Sequence, residues 1–277
     1  MPNLAHPRNA AARARVALPL FLVLVAATAG CDLVTAEFNS KESAEWRKSY
    51  QLAPGGRLEI SNINGRIDVT PSADHTVEIV ALKTARGATP EAAKAALERI
   101  EIREESGAAG IKIETKVSRP NGMFHNGGSE VRYTVRVPAA AEVRFTTVNG
   151  AIELSGLTGT VNAETTNGGI RAREVAGPIQ ASTTNGGVDV ELTRVSPPGV
   201  KLECTNGGIK LRLPSDAKAD ISASVTNGGI GLTKSDGMSV ETIETSRRRL
   251  EARLNGGGPS IRLSGTNGGI EIGPVAR

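Results

Sequence analysis

Thr184-Asn185-Gly186-Gly187-Val188-Asp189-Val190 has near copies at Thr166-Asn167-Gly168-Gly169-Ile170-Arg171-Ala172, Thr205-Asn206-Gly207-Gly208-Ile209-Lys210-Leu211, Thr226-Asn227-Gly228-Gly229-Ile230-Gly231-Leu232 and Thr266-Asn267-Gly268-Gly269-Ile270-Glu271-Ile272. Val148-Asn149-Gly150 opens the series. The first five asparagines of the set lie 18, 18, 21 and 21 residues apart, and Asn267 follows 40 further on, close to two periods. Recurrence at a fixed period marks a chain built from stacked supersecondary units.

Before each turn, the apolar members of an alternating stretch line up as Val143/Phe145, Val161/Ala163, Ile179/Ala181, Val200/Leu202, Ile221/Ala223 and Ile261/Leu263. After each turn a second set does the same: Ile152/Leu154, Ile170/Ala172, Val188/Val190, Ile209/Leu211, Ile230/Leu232 and Ile270/Ile272. Alternation of period two predicts half-buried strands. Leu58 to Val69, around Asn64-Gly65, has the same layout, so the repeat begins near Arg57.

Asn-Gly suits a turn through positive φ, which Gly adopts freely and Asn tolerates better than most residues. The second glycine of the motif predicts a tight backbone approach. Local spacing admits two all-β architectures, a β-solenoid of coils of about 20 residues or an antiparallel meander with Asn-Gly hairpins. The solenoid is favoured because the same residue recurs at the same place in every period. The outward column after the turns reads Glu153, Arg171, Asp189, Lys210, Gly231 and Glu271, a ladder of largely alternating sign. The strand at Ile270–Ile272, as the last of the chain, is expected to be an edge that Gly273-Pro274 ends.

Two stretches, 86–129 and 234–258, interrupt the repeat domain of residues 57–273 and are expected to protrude. Thr89-Pro90-Glu91 followed by Ala-rich sequence to Leu97 predicts a short helix with Thr at the N-cap and Pro at the first position. Strands are expected at Ile100–Arg103, Ile111–Val117 and Val131–Val137, with a polar loop from Pro120 to Ser129. The second stretch carries Arg247-Arg248-Arg249, a possible anion contact, against Glu241, Glu244 and Glu251.

The amino terminus combines Arg8, Arg13 and Arg15, an apolar run from Val16 to Ala27 and the small residues Thr28-Ala29-Gly30 before Cys31. This is the pattern of an export signal over residues 1–30. Ala29-Gly30-Cys31 resembles the lipobox of bacterial lipoproteins, with Thr28 where that family usually has Leu. The resemblance implies lipid attachment at Cys31, a segment of tether and N-terminal cap over 31–56, and a place in the cell envelope, periplasmic or surface side. Asp32 resembles the signal that keeps some lipoproteins in the inner membrane. The rival is an ordinary secretory signal cut nearby.

The chain has 33 basic and 29 acidic residues, and three of the arginines but none of the acids precede Cys31, leaving 30 against 29. Such balance, with 3% aromatic residues, argues against nucleic acid as a partner. Once Cys31 is modified only Cys204 remains, at a repeat position that holds Thr165, Thr183 and Val225 elsewhere, where a thiol packs as a small hydrophobe.

No catalytic, cofactor or metal site is expected. Glycoside cleavage needs two carboxylates about 5 to 10 Å apart around the bond. The candidates Glu153, Asp189, Glu164 and Glu203 are interspersed with Arg171, Lys210, Ser182 and Ser224, as on a solvated strand face. Beyond Cys31 the histidines are His75 and His125, neither in metal-ligand spacing. Asn64, Asn149, Asn167, Asn185, Asn206, Asn227 and Asn267, with Gly65, Gly150, Gly168, Gly186, Gly207, Gly228 and Gly268 behind them, are structural: their amides serve their own turns and stack on one another.

From Arg57 to Ile272 the chain resembles the bacterial "putative adhesin" family of β-strand-repeat envelope proteins. The likeness rests on Gly56-Arg57-Leu58-Glu59-Ile60, on Tyr133-Thr134-Val135-Arg136-Val137-Pro138 and on the Thr-Asn-Gly-Gly-Ile series. It implies a single-stranded right-handed β-helix and carries over no active site. The expected function is a membrane-tethered, non-catalytic scaffold or interaction module, a monomer or weak oligomer whose partner is an envelope protein or glycan. A polysaccharide lyase or glycosidase, and an envelope-stress regulatory accessory, are the alternatives.

Overall fold

The computed structural model describes residues 40–107, 110–118 and 128–275; the signal, Cys31 and His125 lie outside them. In chain order the first elements are β1 (Ser40–Gln51), β2 (Arg57–Ser61), β3 (Ile67–Ser72), β4 (Thr76–Gly87), α1 (Pro90–Glu98), β5 (Ile100–Gly107), β6 (Gly110–Val117), β7 (Ser129–Pro138), β8 (Glu142–Asn149), β9 (Ile152–Ser155) and β10 (Val161–Asn167). They continue as β11 (Ile170–Val175), β12 (Ile179–Asn185), β13 (Val188–Leu192), β14 (Gly199–Asn206), β15 (Ile209–Leu213), β16 (Ala219–Asn227), β17 (Ile230–Leu232), β18 (Val240–Thr245), β19 (Arg249–Leu254), β20 (Ser260–Asn267) and β21 (Ile270–Pro274).

Each repeat contributes one strand before its Asn-Gly turn and one after it, and equivalent strands pair in parallel. Val161, Ile179, Val200, Ile261 and Ile221 are register partners in turn across the pre-turn sheet. Ile152, Ile170, Val188, Ile209, Ile270 and Ile230 are partners across the post-turn sheet. Parallel pairing in register rules out the meander, whose hairpins would pair antiparallel. The result is a β-solenoid of two sheets, a ten-stranded one that holds the strands after the turns and an eleven-stranded one that holds those before them. The aligned apolar positions form the core between the sheets, most of them buried outright.

Stacking order departs from chain order at both ends. The pre-turn sheet runs β18-β19-β16-β20-β14-β12-β10-β8-β2-β6-β5 and the post-turn sheet β1-β4-β7-β3-β9-β11-β13-β15-β21-β17. The last repeat, β20/β21, is thus inserted between β14/β15 and β16/β17, and the first, β2/β3, between β6/β7 and β8/β9. Ile270–Ile272 is therefore not an edge; the edge at that end of the sheet is β17, only three residues long. The connection from β15 to β16 steps over one coil through Pro214–Lys218, where Asn255 Nδ2 donates to the carbonyls of Ser215 (3.0 Å) and Ala217 (2.8 Å).

The described parts of the interrupting stretches extend the sheets instead of protruding. β4 pairs antiparallel with β7, β1 with β4 over all twelve residues, and β5 with β6. Thr89 Oγ1 accepts from Ala92 N at 3.2 Å, capping α1, which buries Ala93 and Ala96. Tyr50 donates to Glu104 at 2.9 Å and Lys48 approaches the same carboxylate at 3.4 Å, tying β1 to β5 across this end. At the other end β19 and β18 extend the pre-turn sheet antiparallel. At this end the outermost strands are short or bulged, which resists unwanted pairing: β17 has three residues and β18 has its irregularity between Thr242 and Glu244.

Candidate functional site

The turns stack into a column along one side of the solenoid. Asn227 Nδ2 donates to Asn267 Oδ1 (2.9 Å), Asn267 to Asn206 (2.8 Å), Asn206 to Asn185 (2.9 Å), Asn185 to Asn167 (2.8 Å), Asn167 to Asn149 (2.8 Å) and Asn149 to Asn64 (2.7 Å). Asn64 ends the series on the carbonyl of Ser129 at 3.1 Å. From Asn267 to Asn149 each amide spends one donor and one acceptor inside the ladder, so the row is a structural spine. The backbone repeats the pattern, Gly168 N donating to Asn185 O (2.8 Å) and Gly186 N to Asn206 O (2.9 Å).

The first glycine of each motif, not the second as anticipated, makes the close approach. A Cβ on Gly186 would lie 2.1 Å from the carbonyl oxygen of Gly168, and Gly186 sits at φ 145°. A Cβ on Gly187 would meet only Gly208 O, at 3.5 Å.

Inside the turn, Thr165 and Thr183 donate to the carbonyls of Gly150 (2.9 Å) and Gly168 (2.8 Å). Cys204 takes the same place, its Sγ 3.1 Å from Gly186 O, and burial raises its thiol above the ordinary range. Reactivity follows the thiolate. We expect Cys204 to stay unmodified by iodoacetamide at pH 8 in the folded protein and to react on unfolding. Cys204→Thr is expected to keep the melting temperature within about 2 °C, since a hydroxyl restores the neighbouring coils' bond. Rapid native labelling would show that the site is open.

The post-turn sheet carries the charge ladder on its outer face. Because β21 lies beside β15, the spatial sequence is Glu153, Arg171, Asp189, Lys210, Glu271, Gly231, so the alternation is unbroken up to the terminal glycine. Arg171 pairs with Glu153 (2.9 Å), Lys210 with Glu271 (3.2 Å), and Asp189 receives both Arg173 (2.8 Å) and Arg212 (2.6 Å). Partly exposed pairs of this kind add little stability each; here they leave the face compensated.

Glu164 and Glu203 belong to the opposite sheet, separated by the Ser182 strand, and Glu203 pairs with Lys201 at 3.0 Å. The four candidate acids therefore face away from one another in two pairs. Among the described residues no group of three His, Cys, Asp or Glu side chains is placed to hold a metal. His75 lies in the β3–β4 turn, its carbonyl accepting from Leu52 N at 2.9 Å.

Arg247 and Arg248 form the tip of the β18–β19 hairpin, and their carbonyls accept from Ile230 N (3.1 Å) and Val225 N (3.0 Å), closing the end of the turn column. Arg249 is held by Glu244 (3.3 Å) and Glu251 (3.1 Å), and Glu241 pairs with Arg253 (3.4 Å). The three arginines are thus split in role: Arg249 is compensated, and the other two stand exposed at the end of the stack.

A concavity of about 400 Å³ on the outer face of the pre-turn sheet was not anticipated. It crosses the starts of β10, β12, β14 and β20, with Pro178, Pro198 and Gly199 on one side and Asn162, Gln180, Lys201 and Arg262 on the other. The signal was present in the sequence as the outward residue between each aligned apolar pair, but Lys201 and Arg262 become neighbours only because β20 sits against β14.

No helix among the described residues is long and apolar enough to cross a membrane. No curated protein matches the chain. Solved structures that resemble it include a "putative cell adhesion protein" of Clostridium sporogenes, 12% identical, with 84% of this chain and 100% of that one covered and a TM-score of 0.47. A "putative adhesin" of Bacteroides fragilis is also 12% identical, with 84% and 97% covered and a TM-score of 0.41. A "putative lipid binding protein" of Parabacteroides distasonis is 9% identical over the same shares, with a TM-score of 0.25. Residues 48–273 match the family described as Toastrack DUF4097, and the chain belongs to that family.

Proposed function

We propose that this Toastrack protein is a non-catalytic interaction module of the bacterial cell envelope, exported by residues 1–30 and held at a membrane by acylation of Cys31. One observation carries the non-catalytic part: the outer acids are spread over opposite sheets, and Glu153, Asp189 and Glu203 are each neutralised by a basic partner. Hydrolysis of a glycan needs two carboxylates placed around the bond, whereas Arg171 stands between Glu153 and Asp189 and Ser182 between Glu164 and Glu203. A rigid stack with long, flat, solvated faces is instead suited to presenting surface to a partner. The tether rests on the sequence from Arg8 to Cys31. Two or three acyl chains, at about 0.8 kcal/mol per buried methylene, make release very slow.

Metabolic labelling with a palmitate analogue in a bacterial host tests the anchor. The full chain is expected to incorporate label and sediment with membranes, and Cys31→Ser to lose both. An unlabelled, soluble wild type would leave an exported module with no tether. Release of reducing ends from acidic or neutral polysaccharides by the purified chain would overturn the non-catalytic reading.

A further inference from the structure

Charge on the two outer faces is organised differently. On the post-turn sheet each cation of the ladder stands next to an acid. On the pre-turn sheet the column formed by Arg144, Asn162, Gln180, Lys201 and Arg262, on five consecutive parallel strands, contains no acid at all. Neighbouring strands lie about 4.8 Å apart, so the row spans roughly 19 Å along the stack. Lys201 and Arg262 are direct register partners, and like charges side by side on adjacent strands are unfavourable unless an anion joins them. Lys201 is partly compensated by Glu203. Among the described residues Arg262 and Arg144 have no carboxylate within ion-pair distance; the residues two places away from Arg262 are Ser260 and Ser264. The other acids near the row are Glu59 beside Arg144, Glu142, which pairs with Arg57 at 2.8 Å, the exposed Glu164, Asp220 beside Ser260, which pairs with Arg253 at 3.2 Å, and Glu251 beyond Ser222, which pairs with Arg249 at 3.1 Å.

The row also borders the concavity. Gly199 is among its lining residues, and at φ 123°, with Ser260 O 2.0 Å from where a Cβ would stand, this position admits no side chain. Pro178 and Pro198 supply a rigid apolar wall opposite the donors.

We propose that this row and its groove bind a linear acidic polysaccharide lying along the stack axis. Lys201 and Arg262 take its carboxylates, the Asn162 and Gln180 amides bond its hydroxyls, and the proline rings pack against the apolar faces of its sugars. Arg144 engages the chain further along. A donor row repeating at every strand fits a repeating polymer better than a compact ligand. Amides between cations fit hydroxyl-bearing units, while nucleic acid would want aromatic stacking surfaces that the groove lacks. The proposal rests on the reading of the protein as an interaction module and names its partner class.

The test is binding of the full chain, purified in nonionic detergent, to immobilised polygalacturonate, with pullulan as the neutral polymer and single-stranded DNA as the other polyanion. Saturable binding that weakens with salt is expected, with about tenfold loss in Arg262→Gln, a charge-assisted contact being worth that much. Lys201→Gln/Arg262→Gln should lose more, Arg262→Lys should retain most of the binding, and Lys210→Gln on the opposite sheet should match wild type. Both substituted side chains are exposed, so an unchanged melt accompanies the loss. Absent retention, equal binding by Arg262→Gln and wild type, or equal binding to pullulan or DNA would each overturn the assignment. These outcomes are independent of Cys31: an unacylated protein can still bind the polymer, and an acylated one can fail to.

Discussion

Alanine at Gly186 is expected to cost about 3 kcal/mol or more, while alanine at the adjacent Gly187 shifts stability by no more than about 0.5 kcal/mol. The two residues share one motif and differ in what a methyl group would meet. At Gly186 the backbone is at φ 145°, and the added Cβ would stand 2.1 Å from Gly168 O and 2.5 Å from Gly168 C. Those atoms belong to a backbone held by the ladder on both sides, so neither coil can yield without breaking hydrogen bonds. At Gly187 the nearest such atom is at 3.5 Å, ordinary contact, and the corresponding place in Asn149-Gly150-Ala151 already holds alanine. For a domain of this size the difference corresponds to a melting temperature lowered by roughly 6–12 °C for Gly186→Ala and nearly unchanged for Gly187→Ala. Thermal unfolding followed by circular dichroism measures both. Equal effects at the two glycines would mean that the coils can slide apart to admit a side chain.

Removing the last strand pair is expected to abolish the fold rather than shorten it. In a solenoid stacked in chain order, a chain ending at Gly257 would lose only its terminal coil. Here β20 and β21 fill the gap between β14/β15 and β16/β17. Ile261, Leu263, Ile270 and Ile272 are at most 2% exposed, and burial of such side chains contributes about 1.5–3 kcal/mol each, a sum comparable to the whole stability of a domain. Their loss also strips β14 and β16 of their shared partner and breaks the asparagine ladder between Asn206 and Asn227. The truncated chain should be insoluble or degraded, with no cooperative melt. A soluble fragment with a strand-rich spectrum and a melt within a few degrees of wild type would show that β16/β17 can close the gap by pairing directly with β14/β15.

The core was legible residue by residue because burial in a strand alternates. Val161/Ala163, Ile179/Ala181 and Val200/Leu202, aligned by period alone, are register partners and buried. The capped helix was legible from Thr89 and Pro90 for the same local reason. Less could be read from residues 40–56, outlined as tether and cap, where Ser40–Gln51 forms a full-length strand on β4. Its inner face pairs Ala44 with Trp46 and Tyr50 among charged residues, and being an edge it stays half exposed, so its alternation is faint. The acid-free row is invisible in the sequence order, where Lys201 and Arg262 are 61 residues apart.

The sequence by itself determined a repeat-built all-β chain, the inward and outward side of each strand and the place of the turns, because these depend on contacts within one period. The tertiary structure alone decided the order in which the coils stack. A strand's edge hydrogen bonds are identical in every repeat, so no local feature distinguishes one neighbour from another. Closing both ends of the stack with inserted coils and antiparallel strands is a property of the whole chain. From that choice follow the interior place of Ile270–Ile272, the unbroken charge ladder, and the meeting of Lys201 with Arg262.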